Sequence, residues 1–229
     1  MSAVRLLLAT RNPKKLIELR RILALSGTSG AQVLRLQVVG LDDVPAFPEV
    51  PETAATFEGN ALAKAHGAAA ATGLATVADD SGLEVDALNG MPGVLSARWA
   101  GRHGDDAANL QLVLDQLTDV PDDRRGAAFV CAAALAVPRG GQAPGTRIPG
   151  TQTVMRGEWR GTLARVARGS NGFGYDPIFI PDGQSRTSAE LDPAEKDVVS
   201  HRGRALRALL PALHRLSSQP VRPGPPTTA

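Results

Sequence analysis

Two adjacent carboxylates, Asp79 and Asp80, close the short apolar run 75–78 and are followed by Ser81 and Gly82. Carboxylate oxygens are good ligands for a metal ion, so such a pair after an apolar strand suggests a metal site. Successive residues of an extended chain face opposite ways, and the two acids are therefore expected to have different jobs, one on a metal and one bracing the turn. The plainer alternative is an acidic turn between two strands, with Gly82 supplying unusual backbone angles.

Three further groups carry possible chemistry. Thr10-Arg11-Asn12-Pro13-Lys14-Lys15 gathers a hydroxyl, an amide and cations at a predicted helix start, where backbone N–H groups favour a phosphate. It is not a Walker A loop, because the glycine run and the terminal Lys-Ser/Thr are missing. The stretch Gly169 to Pro177 has three glycines around Phe173, which let a backbone approach a ligand while the ring stacks on a base or packs inward. Lys196, Ser200, His201 and Arg202 open the last helical region; Lys and Arg suit phosphate or carbonyl recognition, unless they are simply surface charge. His201 has no His or Cys partner at zinc spacing.

The elements that must hold these residues follow from pattern. Residues 4–10 predict a buried strand, and Leu16, Leu19, Ile22 and Leu23 a helix capped by Asn12 with Pro13 in its first position. Residues 33–39 predict a second strand. A helix is expected from Thr56 to Gly73, with Glu58 in its first turn, then a strand 75–78 ending in the acidic turn and an extended piece 83–88. Residues 105–117 predict a helix capped by Asp105, and 127–137 a long strand. A Gly/Pro-rich loop follows at 138–150, then strands with a turn or bulge at Gly157 and Gly161. A short strand 178–180 precedes one final helix from Asp192, and the tail from Ser217 is expected to be disordered. Strands and helices mix without strict βαβ alternation, which predicts an α/β fold with a mixed sheet.

The 229 residues suffice for a proper core in one domain or two small lobes. With aromatics at 3%, that core is expected to rest on Ala, Leu and Val. The single Cys131 excludes an internal disulfide, argues for a reducing compartment and is expected to be a buried, inert thiol. No apolar run reaches membrane-span length and the N-terminus lacks a signal-peptide pattern, so a cytoplasmic protein is expected. A net charge of +2, with cations spread along the chain, argues against nucleic acid as the partner.

Taken in order, the segments Leu-Ala-Thr-Arg-Asn-Pro-Lys-Lys (8–15), Thr-Phe-Glu-Gly-Asn-Ala (56–61), Ala-Asp-Asp-Ser-Gly-Leu (78–83), Pro-Gly-Val-Leu-Ser-Ala-Arg-Trp (92–99), Gly-Phe-Gly-Tyr-Asp-Pro-Ile-Phe (172–179) and Ser-His-Arg-Gly-Arg-Ala-Leu (200–206) resemble the inosine-triphosphate pyrophosphatase (Ham1-like) family. The resemblance covers nearly all of residues 4–214. It implies one elongated two-lobed α/β domain over 1–216, built on a mixed twisted sheet, with the active site in the cleft between lobes and a homodimeric assembly. It further implies Mg²⁺-dependent cleavage of ITP, dITP and XTP to monophosphate and pyrophosphate. By motif, Thr10, Arg11, Asn12, Pro13, Lys14 and Lys15 are expected at the triphosphate, with Asp80 as general base and metal ligand and Ser81 touching substrate. Phe173, Gly174, Tyr175, Asp176, Lys196, His201 and Arg202 would line the nucleoside pocket. The family often has two glutamates where this chain has Pro51 and Glu52, so Glu52 is the expected second metal carboxylate and Glu49 the fallback. Arg11 and Asn171 replace glycines common in the family. The rival readings are a Maf-like pyrophosphatase for modified pyrimidine nucleotides and a non-catalytic nucleotide- or RNA-binding module.

Overall fold

The computed structural model describes residues 3–27, 36–138 and 150–218. Strand β1 (Val4–Leu8) ends in three fully buried leucines, and helix α1 (Pro13–Gly27) follows at once. The helix starts as its residue types predict. Asn12 Oδ1 accepts the backbone N–H groups of Lys14 (2.9 Å) and Lys15 (3.3 Å), and Pro13 fills the first position, where no N–H is needed. Strand β2 (Leu36–Val39) pairs parallel with β1; residues 33–35 of the expected strand lie outside the described residues. Helix α2 (Phe57–Thr72) has both expected ends, with the Thr56 side chain accepting from Gly59 N and Gly73 closing at φ 70°.

The expected strand, acidic turn and second extended piece are one continuous strand, β3 (Ala75–Val85), which passes straight through Asp79-Asp80-Ser81-Gly82. Asp, Ser and Gly favour turns, but the strand runs on past its pairing with β1 at residues 75–77, with Asp79 held by Lys15 and Ser81 by Arg202, contacts distant in sequence that override that local preference. The extended piece also stops early, since residues 86–88 form a 3₁₀ turn. Helix α3 (Asp106–Gln116) is capped by the Asp105 side chain, and strand β4 (Gly126–Val137) is buried at every residue from 127 to 136, including Cys131.

Strand β5 (Thr151–Leu163) is likewise unbroken where a turn or bulge was expected. A Cβ at Gly157 would run into the backbone of His201 and Ala205, and one at Gly161 into the backbone of Ile180. These glycines mark close approaches and not bends. Strand β6 (Phe179–Pro181) pairs antiparallel with β5. The expected final helix is two, α4 (Pro193–Val199) and α5 (His201–Ser218), separated by Ser200 in an extended conformation. Ser217 and Ser218 thus close α5, while residues 219–229 of the expected tail and 139–149 of the Gly/Pro loop lie outside the described residues.

All six strands form one mixed sheet in the order β2-β1-β3-β4-β5-β6, giving the α/β class. The chain divides into two compact units, the first from residues 1–79, 133–155 and 206–229 and the second from 80–132 and 156–205. In the first, Leu7, Val39 and Ala68 pack with Ala9, Leu41, Val44, Phe47 and Leu74. The second concentrates the scarce aromatics: Phe129, Trp159, Tyr175 and Phe179 share a core with Leu83, Val85, Val113 and Leu117. Phe179 lies 4.5 Å from Phe129 and 5.4 Å from Trp159, centroid to centroid. The low aromatic content therefore does not mean a core without aromatic packing. Among the described residues no helix is long and apolar enough to cross a membrane.

Candidate active site

In the first unit, strand β3 ends its share of the sheet with Asp79, whose side chain is 1% exposed and pairs with Lys15 of α1, Nζ to Oδ2 3.0 Å. Lys64, on α2, reaches the Asp79 carbonyl oxygen at 3.5 Å and pairs with Glu52 at 2.5 Å. Two cations and two acids thus alternate along Lys15, Asp79, Lys64 and Glu52. The segment carrying Glu52 lies directly on α2. Ala54 N donates to Asn60 Oδ1 (2.9 Å), and side chains at Gly59 and Gly67 would collide with Ala54 and Val50. Glu49, the alternative acid, is exposed and pairs with Arg11 at 3.4 Å, while Arg11 also donates to the Phe47 carbonyl.

Thr10 Oγ1 accepts from Asn12 N at 3.3 Å. Because Asn12 covers the N–H groups of Lys14 and Lys15, the start of α1 offers an anion its side chains more than its backbone. Pro13 and Lys14 are exposed, and Lys15 is half-buried on Asp79.

In the second unit, Asp80 is 5% exposed, and Ser81 Oγ accepts from Arg202 at 3.0 Å. Asp176 is a hub. Its Oδ2 takes the Lys196 ammonium at 2.6 Å and Phe173 N at 2.8 Å, and its Oδ1 takes Ser188 Oγ at 2.7 Å. The Phe173 ring is half-buried, with Lys196 Nζ 5.7 Å and Arg202 Cζ 5.5 Å from its centroid. Both cations lie within cation–π distance of the one ring. Gly174 N donates to Asp106 Oδ2 (3.0 Å), and Tyr175 OH donates to the Ser96 carbonyl (2.8 Å). Burial, then the nearby Asp106 charge, pushes the Tyr175 phenol well above its ordinary range, so it remains a donor. Ser200 caps α5, its Oγ accepting from Gly203 N at 3.1 Å, and so places His201 and Arg202 in the first turn. The His201 ring stacks on Phe129, 4.8 Å between centroids at 15°.

The structure brings together Lys15 with Asp79 in one unit, and Ser81, Phe173, Asp176, Lys196 and Arg202 in the other. Lys64 and Asp106 do not stand out in the sequence. A usable signal for Lys64 is its spacing of four from Asn60, which puts both on one face of α2. No group of three or more His, Cys, Asp or Glu among the described residues forms a closed metal cage. Mg²⁺ does not require one, since it binds through one or two carboxylates with waters and phosphate oxygens. Asp80 and Glu52 each carry carboxylate oxygens of the kind that ion takes, and Glu52 is paired with Lys64.

Residues 6–212 match the family model described as the Ham1 family. The chain belongs to that family. It is 63% identical over 219 residues to a protein of Nocardia farcinica named dITP/XTP pyrophosphatase, covering 96% of this chain and 99% of that one. A Mycobacterium tuberculosis protein of the same name is 61% identical, with 93% and 97% covered. Among solved structures, the dITP/XTP pyrophosphatase of Mycobacterium abscessus is 60% identical with a TM-score of 0.69, covering 91% of this chain and all of that one. The Ham1 protein of Staphylococcus aureus is 35% identical with a TM-score of 0.75, covering 93% and 99%.

Proposed function

We propose that this chain hydrolyses the non-standard purine nucleoside triphosphates dITP, XTP and ITP to the monophosphate and pyrophosphate. The observation that carries this reading is identity above 60%, over nearly the full length of both chains, to relatives named for that activity. Thr10, Asn12, Lys14 and Lys15 are then the polar and cationic side chains for the triphosphate, and Arg11 ties the segment to Glu49. Phe173 stacks on the base. Lys196, His201 and Arg202 address its 6-oxo edge; a 6-amino base would leave such buried donors unmatched, a loss that can reach several kcal/mol in a site built for hydrogen bonds. Gly174, Tyr175 and Asp176 hold the loop that presents Phe173.

Asp80 acts as the general base. It takes a proton from a water whose oxygen attacks the phosphorus joining nucleoside to pyrophosphate; the bond to the bridging oxygen breaks and pyrophosphate leaves. Lys15 offsets the phosphate charge, and Ser81, held by Arg202, offers its hydroxyl to the substrate. Asp80 and Glu52 are the carboxylates that would serve as ligands for Mg²⁺, an ion whose chemistry is to neutralise phosphate charge. The same reading makes the protein a cytoplasmic homodimer acting on free nucleotides, and light scattering of the purified protein checks the dimer.

The decisive assay measures monophosphate and pyrophosphate from ITP, dITP, XTP, dUTP and ATP, with and without Mg²⁺. Metal-dependent release from the purine 6-oxo nucleotides alone is expected. Preference for dUTP would move the protein to pyrimidine housecleaning, and binding without product would make it a non-catalytic module. Asp80→Asn is expected to lower turnover by roughly 10²–10⁴-fold, the usual contribution of general-base catalysis, with little change in nucleotide affinity. Near-normal turnover would remove Asp80 from this role.

A further inference from the structure

Phe173 sits between two glycines in left-handed conformations, Gly172 at φ 76° and Gly174 at φ 61°. A ring mounted on such a segment has no intrinsic reason to hold one orientation, since glycine resists few backbone rotations. Its position must be imposed by tethers. One is internal, Phe173 N to Asp176 Oδ2, and another ties Tyr175 OH to the Ser96 carbonyl. The third reaches the peptide on the C-terminal side of Phe173 itself: Gly174 N donates to Asp106 Oδ2 at 3.0 Å, across 68 residues of sequence.

Asp106 is the first residue of α3, and its neighbour Asp105 already caps that helix by accepting from Ala108 N. Of two consecutive acids, one therefore serves the helix and the other extends a carboxylate oxygen to the glycine loop. We propose that Asp106 is a positioning residue for nucleobase recognition, fixing the 173–174 peptide so that the Phe173 ring stands ready beneath Lys196 and Arg202. The inference rests on the reading of Phe173 as the base-stacking residue.

The test compares Asp106→Ala with Asp106→Asn. Both remove the same negative charge from the first turn of α3, but only alanine removes the acceptor for Gly174 N. Asp106→Ala should raise the KM for dITP roughly tenfold, the scale of one hydrogen bond to a charged group, with kcat changed less than about twofold. Asp106→Asn should return KM to within about twofold of the unaltered protein, because its amide oxygen still accepts. Inorganic tripolyphosphate, which has no base, should keep the same inhibition constant in all three proteins. A parallel rise in that constant would reduce Asp106 to general support of the fold. Equal damage from Asn and Ala would assign the effect to charge, and an unchanged KM in Asp106→Ala would overturn the proposal. If Asp106→Ala does not fold, Asp106→Ser, too short to reach Gly174, replaces it with the same expectations. Phe173→Ala separates the two layers. Should it leave the KM for dITP unaltered, the stacking reading itself fails; should it raise KM while Asp106→Ala does not, only the role of Asp106 fails.

Discussion

Lys196 and Asp176 form a buried ion pair whose side chains are 8% and 3% exposed, closed at 2.6 Å. Removing one partner from such a pair is far more damaging than the net worth of the pair, because a desolvated charge is left behind. Ser188 and Phe173 N still donate to Asp176, so its carboxylate would keep two hydrogen bonds and lose only the ammonium. Lys196→Met is therefore expected to cost about 3 kcal/mol, at the lower end for a broken buried pair, or roughly 6–12 °C in Tm for a chain of this size. Thermal unfolding checks this, and a Tm within about 2 °C of the unaltered protein would mean that solvent reaches the pair, contrary to its burial. The choice of acids near the first site also belongs to this scale. Glu52 and Glu49 look alike in sequence, yet one shares Lys64 with Asp79 while the other is exposed on Arg11. Pairing of that kind depends on which helix faces which segment, so no spacing rule along residues 49–52 could decide it.

Strand β5 meets the first turn of α5 at Gly157, where an added methyl would strike the backbone of His201 and Ala205. Backbone cannot swing aside as a long side chain can, so Gly157→Ala must push strand and helix apart. Overpacking of that kind costs about 1–3 kcal/mol, readable as a lowered urea midpoint at unchanged slope. Because the displaced turn carries His201 and Arg202, the KM for dITP should rise with it; a variant with both stability and KM unchanged would show that the contact relaxes freely. Elements whose ends carry their own chemistry are legible in the sequence: Asn12 and Pro13 for α1, Thr56 and Gly73 for α2, Asp105 for α3. Those decided by neighbours are not. Asp79-Asp80-Ser81-Gly82 has turn-forming composition but continues β3 beyond its last partner in β1, and the cap, Pro and acid at Asp192, Pro193 and Glu195 mark one helix start without showing the stop after Val199. Serine is a favoured N-cap residue, and Ser200 fills that role by accepting from Gly203 N, but a serine within a helical pattern does not by itself mark a new start.

Each compact unit is assembled from separate stretches of chain, and three strands belong to both. β3 changes unit between Asp79 and Asp80, β4 between Ala132 and Ala133, and β5 between Met155 and Arg156. Hydrophobic pattern along the sequence cannot reveal such a division, because no linker marks it and the strands run through without interruption. Chains longer than about 150 residues commonly unfold in steps, domain by domain. Here β3, β4 and β5 each run unbroken across the division, so one cooperative transition is expected. The tryptophans allow a direct test, because both Trp99 and Trp159 fall in the second unit, whereas α1 and α2 fall in the first. Tryptophan fluorescence then follows the second unit, and far-UV circular dichroism follows the helices of both. Superimposable urea curves, with a calorimetric enthalpy equal to the van't Hoff value, are the expected result. A fluorescence midpoint displaced from the dichroism midpoint would mean that β3, β4 and β5 can come apart at the Asp79–Asp80 boundary and its counterparts. The acid pair would then sit on a natural breaking line of the chain instead of inside one cooperative sheet.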